Sequence, residues 1–342
     1  MQPNQTNRRR FLRTTSTLAL GTAIAPSVFS APGILKHYKE GSSKINGVQI
    51  GVITYSFRSM KDQSAEATLQ YIKDCGISAI ELMGGPAETF VGMPKPTFDR
   101  RAAWMAALTK RGGKKPTKEQ EEVLAAQEAY NREVAQWRAT VSMDKFKTLR
   151  KMYKAAGVDI YAFKPRAFGK DNTDAEINYG LAAAKALGAS HITLEHPSDD
   201  AHTMKLGKMA KKHKIFVGYH GHTQQTPDFW DTALDQAKYN AMNIDIGHYV
   251  AAGHKGDALG IIERKNKHIK SMHLKDRMTK ENGQSNEPWG TGDTPIPSIL
   301  QLMRDNKYKF PATIELEYNV PEDSDAVQEV KKCLEYCREA LS

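Results

Sequence analysis

The sequence predicts a (β/α)8 TIM barrel, a closed ring of eight parallel strands each followed by a helix, and three observations predict it. Eight short runs rich in β-branched residues alternate with amphipathic stretches. From the fourth run to the seventh the repeat is roughly 25 to 28 residues, the length of one strand–helix unit with short loops. No G-x-G-x-x-G turn follows the first run, and chemically useful residues fall at the ends of many runs rather than at one switch point.

In chain order the expected strands are VQIGVITY (48–55), SAIELMG (78–84), VDIYAFK (158–164), SHITLEH (190–196), KIFVGYHG (214–221), AMNIDIG (241–247), HIKSMHLK (268–275) and ATIELEY (312–318). The helices between them carry start and stop signals. NTDAEINYGLAAAKALG opens with Thr173 as a candidate cap and closes on Gly188. One stretch breaks the rhythm: residues 97–143 form an insertion between the second and third units. It is rich in Ala, Glu, Gln and Lys and therefore helical, with a Gly-Gly-Lys-Lys-Pro break between two helices. At the top of a barrel it would serve as a lid or a dimer contact, or be an elaboration without a role in the site.

The first thirty residues are a separate object. NRRRFLRTTSTLALGTAIAPSVFSA has a basic start, a weakly apolar middle and small residues near Ser30 and Ala31, the order of an export signal. Arg8-Arg9-Arg10-Phe11-Leu12-Arg13 matches the twin-arginine pattern, so the expected organisation is a leader at 1–30, a linker at 31–47 and a barrel over 48–342. The expected location is the periplasm. Loss of the leader's four arginines would lower the formal charge from +10 to +6. That charge lacks the dense basic stripe with interleaved aromatics of a nucleic-acid binder. The run from Lys205 to Lys214 reads as the solvated face of a helix. No stretch of about 18 apolar residues occurs in the body, so no stable membrane association is expected after leader removal. The three cysteines read as unbridged packing residues.

MNIDIGHY (242–249) raises the chemical question, because Asp245 sits inside an apolar strand where an ionised carboxylate is costly unless paired or bound to a metal. Comparable residues end other strands: Glu195 in ITLEH, His273 in SMHLKD and Glu315 in TIELEY. Three carboxylates gathered inside a barrel repel one another unless a cation holds them. With one imidazole they suit one divalent ion such as Mn²⁺, Co²⁺, Mg²⁺ or Zn²⁺. Glu317 lies two residues beyond Glu315 and faces the same way, which makes it a rival for the last ligand.

IGVITYSFR (50–58), GISAIELMG (76–84), LEH, YHGH (219–222), IDIGH, HLKDR (273–277), WGTGD (289–293) and IELEY together resemble the sugar isomerase/epimerase superfamily with the xylose-isomerase-like barrel. They occur in that family's order and cover the chain from residue 48 onward, the insertion excepted. The resemblance implies one metal held from strands four, six, seven and eight, here by Glu195, Asp245, His273 and Glu315. It implies that Glu195 and Glu315 flank the substrate carbon and move the proton. The YHGH replaces a more usual His-Asn-His. His220 and His222 alternate on strand five and can both reach the site, whereas His191 and His213 read as core imidazoles. His248, Lys275, Arg277 and Lys164 are candidate substrate contacts, and Trp289 with its glycine-flanked loop is placed to stack on a sugar face.

A metal bound to two adjacent sugar oxygens, one a carbonyl, acidifies the C–H between them and stabilises the resulting enediolate. Reprotonation makes an isomerase or epimerase. Expulsion of a β-substituent makes a lyase, hydratase or dehydratase, for example on a 3-keto-glycoside, with the same residues. Export and the lack of a phosphate clamp point to an unphosphorylated sugar or keto-sugar as the small-molecule partner. A homo-oligomer is compatible with the sequence. A non-catalytic sugar-binding protein does not need three carboxylates round a metal. An abasic-site endonuclease would need more histidine ligands and a basic face for DNA.

Overall fold

The structure is a computed structural model that describes residues 42–342; the expected leader lies outside them. The barrel strands are β1 (Val48–Ile53), β2 (Ala79–Met83), β3 (Asp159–Lys164), β4 (His191–Glu195), β5 (Phe216–His220), β6 (Asn240–Asp245), β7 (Ile269–Leu274) and β8 (Ala312–Ile314). All neighbours pair in parallel, and β1 closes the ring by pairing with both β2 and β8. Alternate residues therefore face the barrel axis, and the Ile, Leu and Val between them meet the surrounding helices. Among the described residues no helix is long and apolar enough to cross a membrane.

Local chemistry accounts for the element ends. Thr173 and Glu176 form a reciprocal capping box at the start of helix Asp174–Leu187, and Gly188 ends it at φ 82°. Within the stretch expected as linker, Lys44–Ile45 pairs antiparallel with Val48 and Gln49 across an Asn46-Gly47 turn of positive φ. Strand β8 is shorter than the sequence suggests because side chains take over its backbone bonds. Leu316 N bonds Ser56 Oγ at 3.0 Å, and Arg58 donates to Leu316 O at 2.6 Å. Strand β6 likewise stops at Asp245, where a short helix Ile246–Tyr249 begins.

The insertion forms two helices, Arg100–Arg111 and Lys118–Thr140, separated at Gly112 and Gly113. The second docks on helix Asp174–Leu187 through Val134, Trp137 and Arg138, with Trp137 edge-on to Tyr179 at 5.6 Å. Cys75, Cys333 and Cys337 are free and buried.

Candidate active site

Polar side chains stack in layers inside the barrel. Low down, Tyr161 and Thr313 share a hydroxyl contact at 2.7 Å, and His191 Nε2 meets Ser271 Oγ at 2.8 Å. Gly51 makes room here, since a Cβ would lie 2.6 Å from the Tyr161 hydroxyl. The next layer holds Glu81, Thr193, Asn243 and His273, all fully buried. Register irregularities fall at Ile80/Glu81 and at Met242/Asn243, where a bulge re-aims the side chains that follow. Thr193 donates to Glu81 Oε1 at 2.6 Å, and His273 Nε2 lies 2.8 Å from Glu81 Oε2.

Above this layer His220, Asp245, His273 and Glu315 each present one donor atom, and the four atoms lie within 4.8 Å of one another. The far sides of three are tied down. His220 Nδ1 is fixed on Asn243 Oδ1 at 2.9 Å, His273 Nε2 on Glu81, and Asp245 Oδ1 accepts from His248 N at 2.8 Å. The near side of Asp245 lacks an aligned partner: its buried Oδ2 accepts no hydrogen bond, with Lys275 Nζ 3.0 Å, His273 Nδ1 3.9 Å and His220 Nε2 4.0 Å away.

Lys275 is the resident cation. Its Nζ lies 2.7 Å from both Glu315 Oε2 and Glu317 Oε2, and 3.0 Å from Asp245 Oδ2 without hydrogen-bond alignment. Among the described residues, the cations within ion-pairing distance of the Glu81, Asp245, Glu315 and Glu317 carboxylates are Lys275 and a protonated His273, beside the His220 and His248 rings that burial keeps neutral. Burial alone would depress the His273 ring, but Glu81 and Glu315 on either side raise it to about 10. Burial likewise pushes Glu81 up, and the His273 charge outweighs it, drawing the carboxyl down to about 2. Even with His273 protonated, negative charge is in excess. Imidazole and carboxylate donors with their far atoms anchored are the arrangement that holds a borderline-to-hard divalent ion, so the residues present fit such an ion.

Sequence reasoning puts Glu195 among the ligands; in the structure His220 takes that corner and Glu195 stands outside the quartet. Its side chain is half exposed, with Oε1 3.0 Å from Lys164 Nζ and Oε2 3.4 Å from His222 Nε2. Burial would raise its carboxyl, yet His220 and Lys164 bring it to about 2. Glu317 belongs with Lys275 rather than with the quartet. A cleft of about 660 Å³ opens above, lined by Tyr55, Lys164, Glu195, His222, Glu315 and Glu317 among others.

His248 is held between Arg277 Nη1 on its Nδ1 and Lys275 Nζ at 3.2 Å from its Nε2. Burial and these two cations keep the ring neutral. Trp289 departs from the expected role. It packs edge-on against Tyr336 at 6.0 Å and does not line the cleft. The glycines around it serve Asp276, whose carboxylate accepts from Gly290 N at 2.8 Å and Gly292 N at 2.9 Å. A Cβ on Gly292 would lie 2.3 Å from Asp276 Oδ1, so the loop is built round that acid. His191 is a satisfied core residue, and His213 bonds Asn178 at 2.9 Å on the outside. Glu81 is the residue that sequence reasoning misses. Its signal is the one Asp245 gives, a lone acid between Ile80 and Leu82.

A closed barrel with a polar floor at its carboxyl end places the molecule in the class of TIM-barrel proteins that build their sites from strand ends. The model of the family described as xylose isomerase-like TIM barrel matches residues 124–339, and the chain belongs to that family. Comparison with curated protein sequences gives no match. Several solved structures share the fold. The probable 3-DHS dehydratase of Bacillus anthracis aligns with a TM-score of 0.57 at 14% identity, covering 84% of this chain and 98% of its own. A xylose isomerase domain protein of Planctomyces limnophilus aligns at 0.54 and 15% identity, covering 86% and 96%. The 3-keto-D-glucoside 4-epimerase of E. coli aligns at 0.53 and 11% identity, covering 85% and 99%.

Proposed function

We propose that the protein is a divalent-metal-dependent sugar isomerase or epimerase that removes a proton next to a carbonyl of an unphosphorylated sugar or keto-sugar. The observation that carries this reading is the quartet His220, Asp245, His273 and Glu315, converging on a buried Asp245 oxygen that accepts no hydrogen bond. A divalent ion bound there would polarise the carbonyl and stabilise the charge left when the proton departs.

The chain's own residues do the rest. Glu315 on the floor and Glu195 at the rim are the proton carriers, reaching the cleft from β8 and β4. Lys164 keeps Glu195 ionised and thereby a weak base; a substrate oxygen that engages the ammonium releases the carboxylate for proton transfer. His222 offers a ring nitrogen to sugar hydroxyls from the cleft wall; His248, expected as a substrate contact, lies behind it with Arg277 and Lys275 on its two ring nitrogens, and Lys275 also holds Glu317.

Two features support an unphosphorylated substrate. Among the described residues of the cleft, Lys164 and Lys170 are paired with Glu195 and Asp199, which leaves Arg166 as a single unpaired cation rather than a cluster for a phosphate. The twin-arginine-like leader implies a periplasmic enzyme, where sugar phosphates are scarce.

Elimination or hydration on a keto-sugar is the second reading, because the same proton leaves first. Both branches occur among proteins of this shape, one a probable dehydratase and one an epimerase of a 3-keto-glucoside. The test is to incubate metal-loaded protein with free sugars, keto-sugars and 3-keto-glycosides and weigh the products. Equal mass identifies an isomerase or epimerase, and loss of water or of an aglycone identifies a lyase. No turnover of any member by the loaded protein would reject the proposal.

A further inference from the structure

The cleft wall between β3 and helix Asp174–Leu187 is the segment 165–172, and six of its residues line the cleft: Pro165, Arg166, Phe168, Gly169, Lys170 and Asn172. Its fixed points trace back to the insertion. Asn172 Oδ1 accepts from Gly169 N at 2.9 Å, closing the segment on itself. Asn172 Nδ2 in turn donates to Glu176 Oε1 at 3.0 Å. The same oxygen accepts from Arg138 Nη1 of the insertion at 2.8 Å.

The other end is reached by a second arm. Arg138 Nη2 lies 3.4 Å from Glu88 Oε1, which also accepts from the Tyr179 hydroxyl at 3.1 Å. Gly84 separates Glu88 from Pro165 so closely that a Cβ there would lie 2.7 Å from Glu88 Oε2 and 2.9 Å from Pro165 Cα. Arg138, Glu88 and Glu176 are all buried. A planar guanidinium is suited to hold two carboxylates at fixed angles, which a lysine ammonium is not. Two further tethers on this segment are independent of the insertion: His202 Nε2 on Phe168 O at 2.8 Å, and the exposed Lys170 Nζ on Asp199 Oδ2 at 2.9 Å.

We propose that the insertion shapes the substrate cleft, with Arg138 as a positioning residue that holds the Asn172 end of segment 165–172 through Glu176 and, through Glu88, backs the Gly84 backbone packed beside Pro165. The insertion is then neither a lid nor a decoration. It is the outer brace of one cleft wall. That the wall meets substrate rests on the sugar reading above, whereas the bracing itself does not.

Limited trypsin digestion of the metal-loaded protein tests the brace without any substrate. Arg166 and Lys170 are exposed cleavage points inside the segment, while Lys164 precedes a proline and resists. Arg138→Met should speed cleavage after Arg166 and Lys170 by about tenfold or more, as expected when a charge-assisted hydrogen bond is lost. Asn172→Ala cuts the same path on the segment side and leaves the buried triad in place, so it covers the case in which Arg138→Met folds poorly. Leu334→Ala, in the distant C-terminal helix, controls for general destabilisation. On any sugar the protein turns over, Arg138→Met should raise KM several-fold with a smaller loss in kcat, the signature of lost ground-state positioning. Wild-type cleavage rates in both single variants, or rates that rise only as in Leu334→Ala, would overturn the brace. A normal KM with faster cleavage would overturn its link to substrate.

Discussion

His273 Nε2 stands 2.8 Å from Glu81 Oε2 with both side chains fully buried, which leaves Nδ1 to face the Asp245 and Glu315 oxygens. A carboxylate behind a ligating imidazole fixes its tautomer and orientation. Glu81→Ala should therefore weaken divalent metal binding about 10- to 100-fold, and Glu81→Gln, which keeps an acceptor oxygen, should weaken it less. Competition titration against a chelator measures this. An unchanged affinity in Glu81→Ala would remove Glu81 from the metal centre.

The quartet makes a distinct claim about which groups are ligands. Metal-loaded protein should carry about one divalent ion per chain, as expected of a single three- or four-ligand site. Asp245→Ala, His273→Ala and His220→Ala should each empty it, while Glu195→Gln should keep the ion and lose turnover. Elemental analysis of the purified variants decides. Full occupancy in His220→Ala with an empty site in Glu195→Gln would exchange the two roles.

Glu315 and Glu317 face the same way two residues apart, but only Glu315 joins the quartet. Glu315→Gln should abolish turnover and weaken metal binding. Glu317→Gln should lower turnover with the ion retained, since its partner is Lys275. The reverse pattern would move the ligand one layer up the barrel.

His191 gives a pH dependence that lies outside the metal centre. Burial lowers its ring from the ordinary 6.5 to about 4, so between those values the unfolded chain binds the extra proton. Its contribution is fully present above about pH 6.5 and is lost as pH falls toward 4. Between pH 7 and pH 5 the loss is about 2 kcal/mol by proton linkage. Urea unfolding of chelator-treated protein at both pH values should show this loss reduced by a similar amount in His191→Gln. Parallel behaviour of the variant and the parent would contradict it.

The period of two along each strand made much of the barrel legible. Thr193 and Glu195, His220 and His222, Asn243 and Asp245, His273 and Lys275, and Glu315 and Glu317 all turn inward as alternation requires. What alternation does not carry is the choice of partner. Glu195 and His220 are register partners on adjacent strands, yet the Glu195 carboxylate turns to Lys164 and His222 while His220 completes the quartet, a difference in side-chain partners that alternation does not encode. Glu81 lies in GISAIELMG and carries the same signal as Asp245, a lone acid between apolar neighbours, but a bulge at Ile80/Glu81 sets its aim and is not legible in the sequence. Trp289 misled because an aromatic beside glycines reads as a sugar platform, while the glycines answer to the Asp276 carboxylate far along the loop.

The most direct measurement of the central claim is proton exchange at the substrate carbon. Metal-loaded protein and a substrate from the panel, incubated in D₂O and followed by NMR, should place deuterium on the carbon next to the carbonyl in recovered substrate or product. Chelation of the metal, or Glu315→Gln, should stop the incorporation, and a substrate deuterated at that carbon should react more slowly in a single turnover. Turnover with neither exchange nor an isotope effect, or hydrolysis of a glycosidic bond with water oxygen at the anomeric carbon and that C–H intact, would contradict the account.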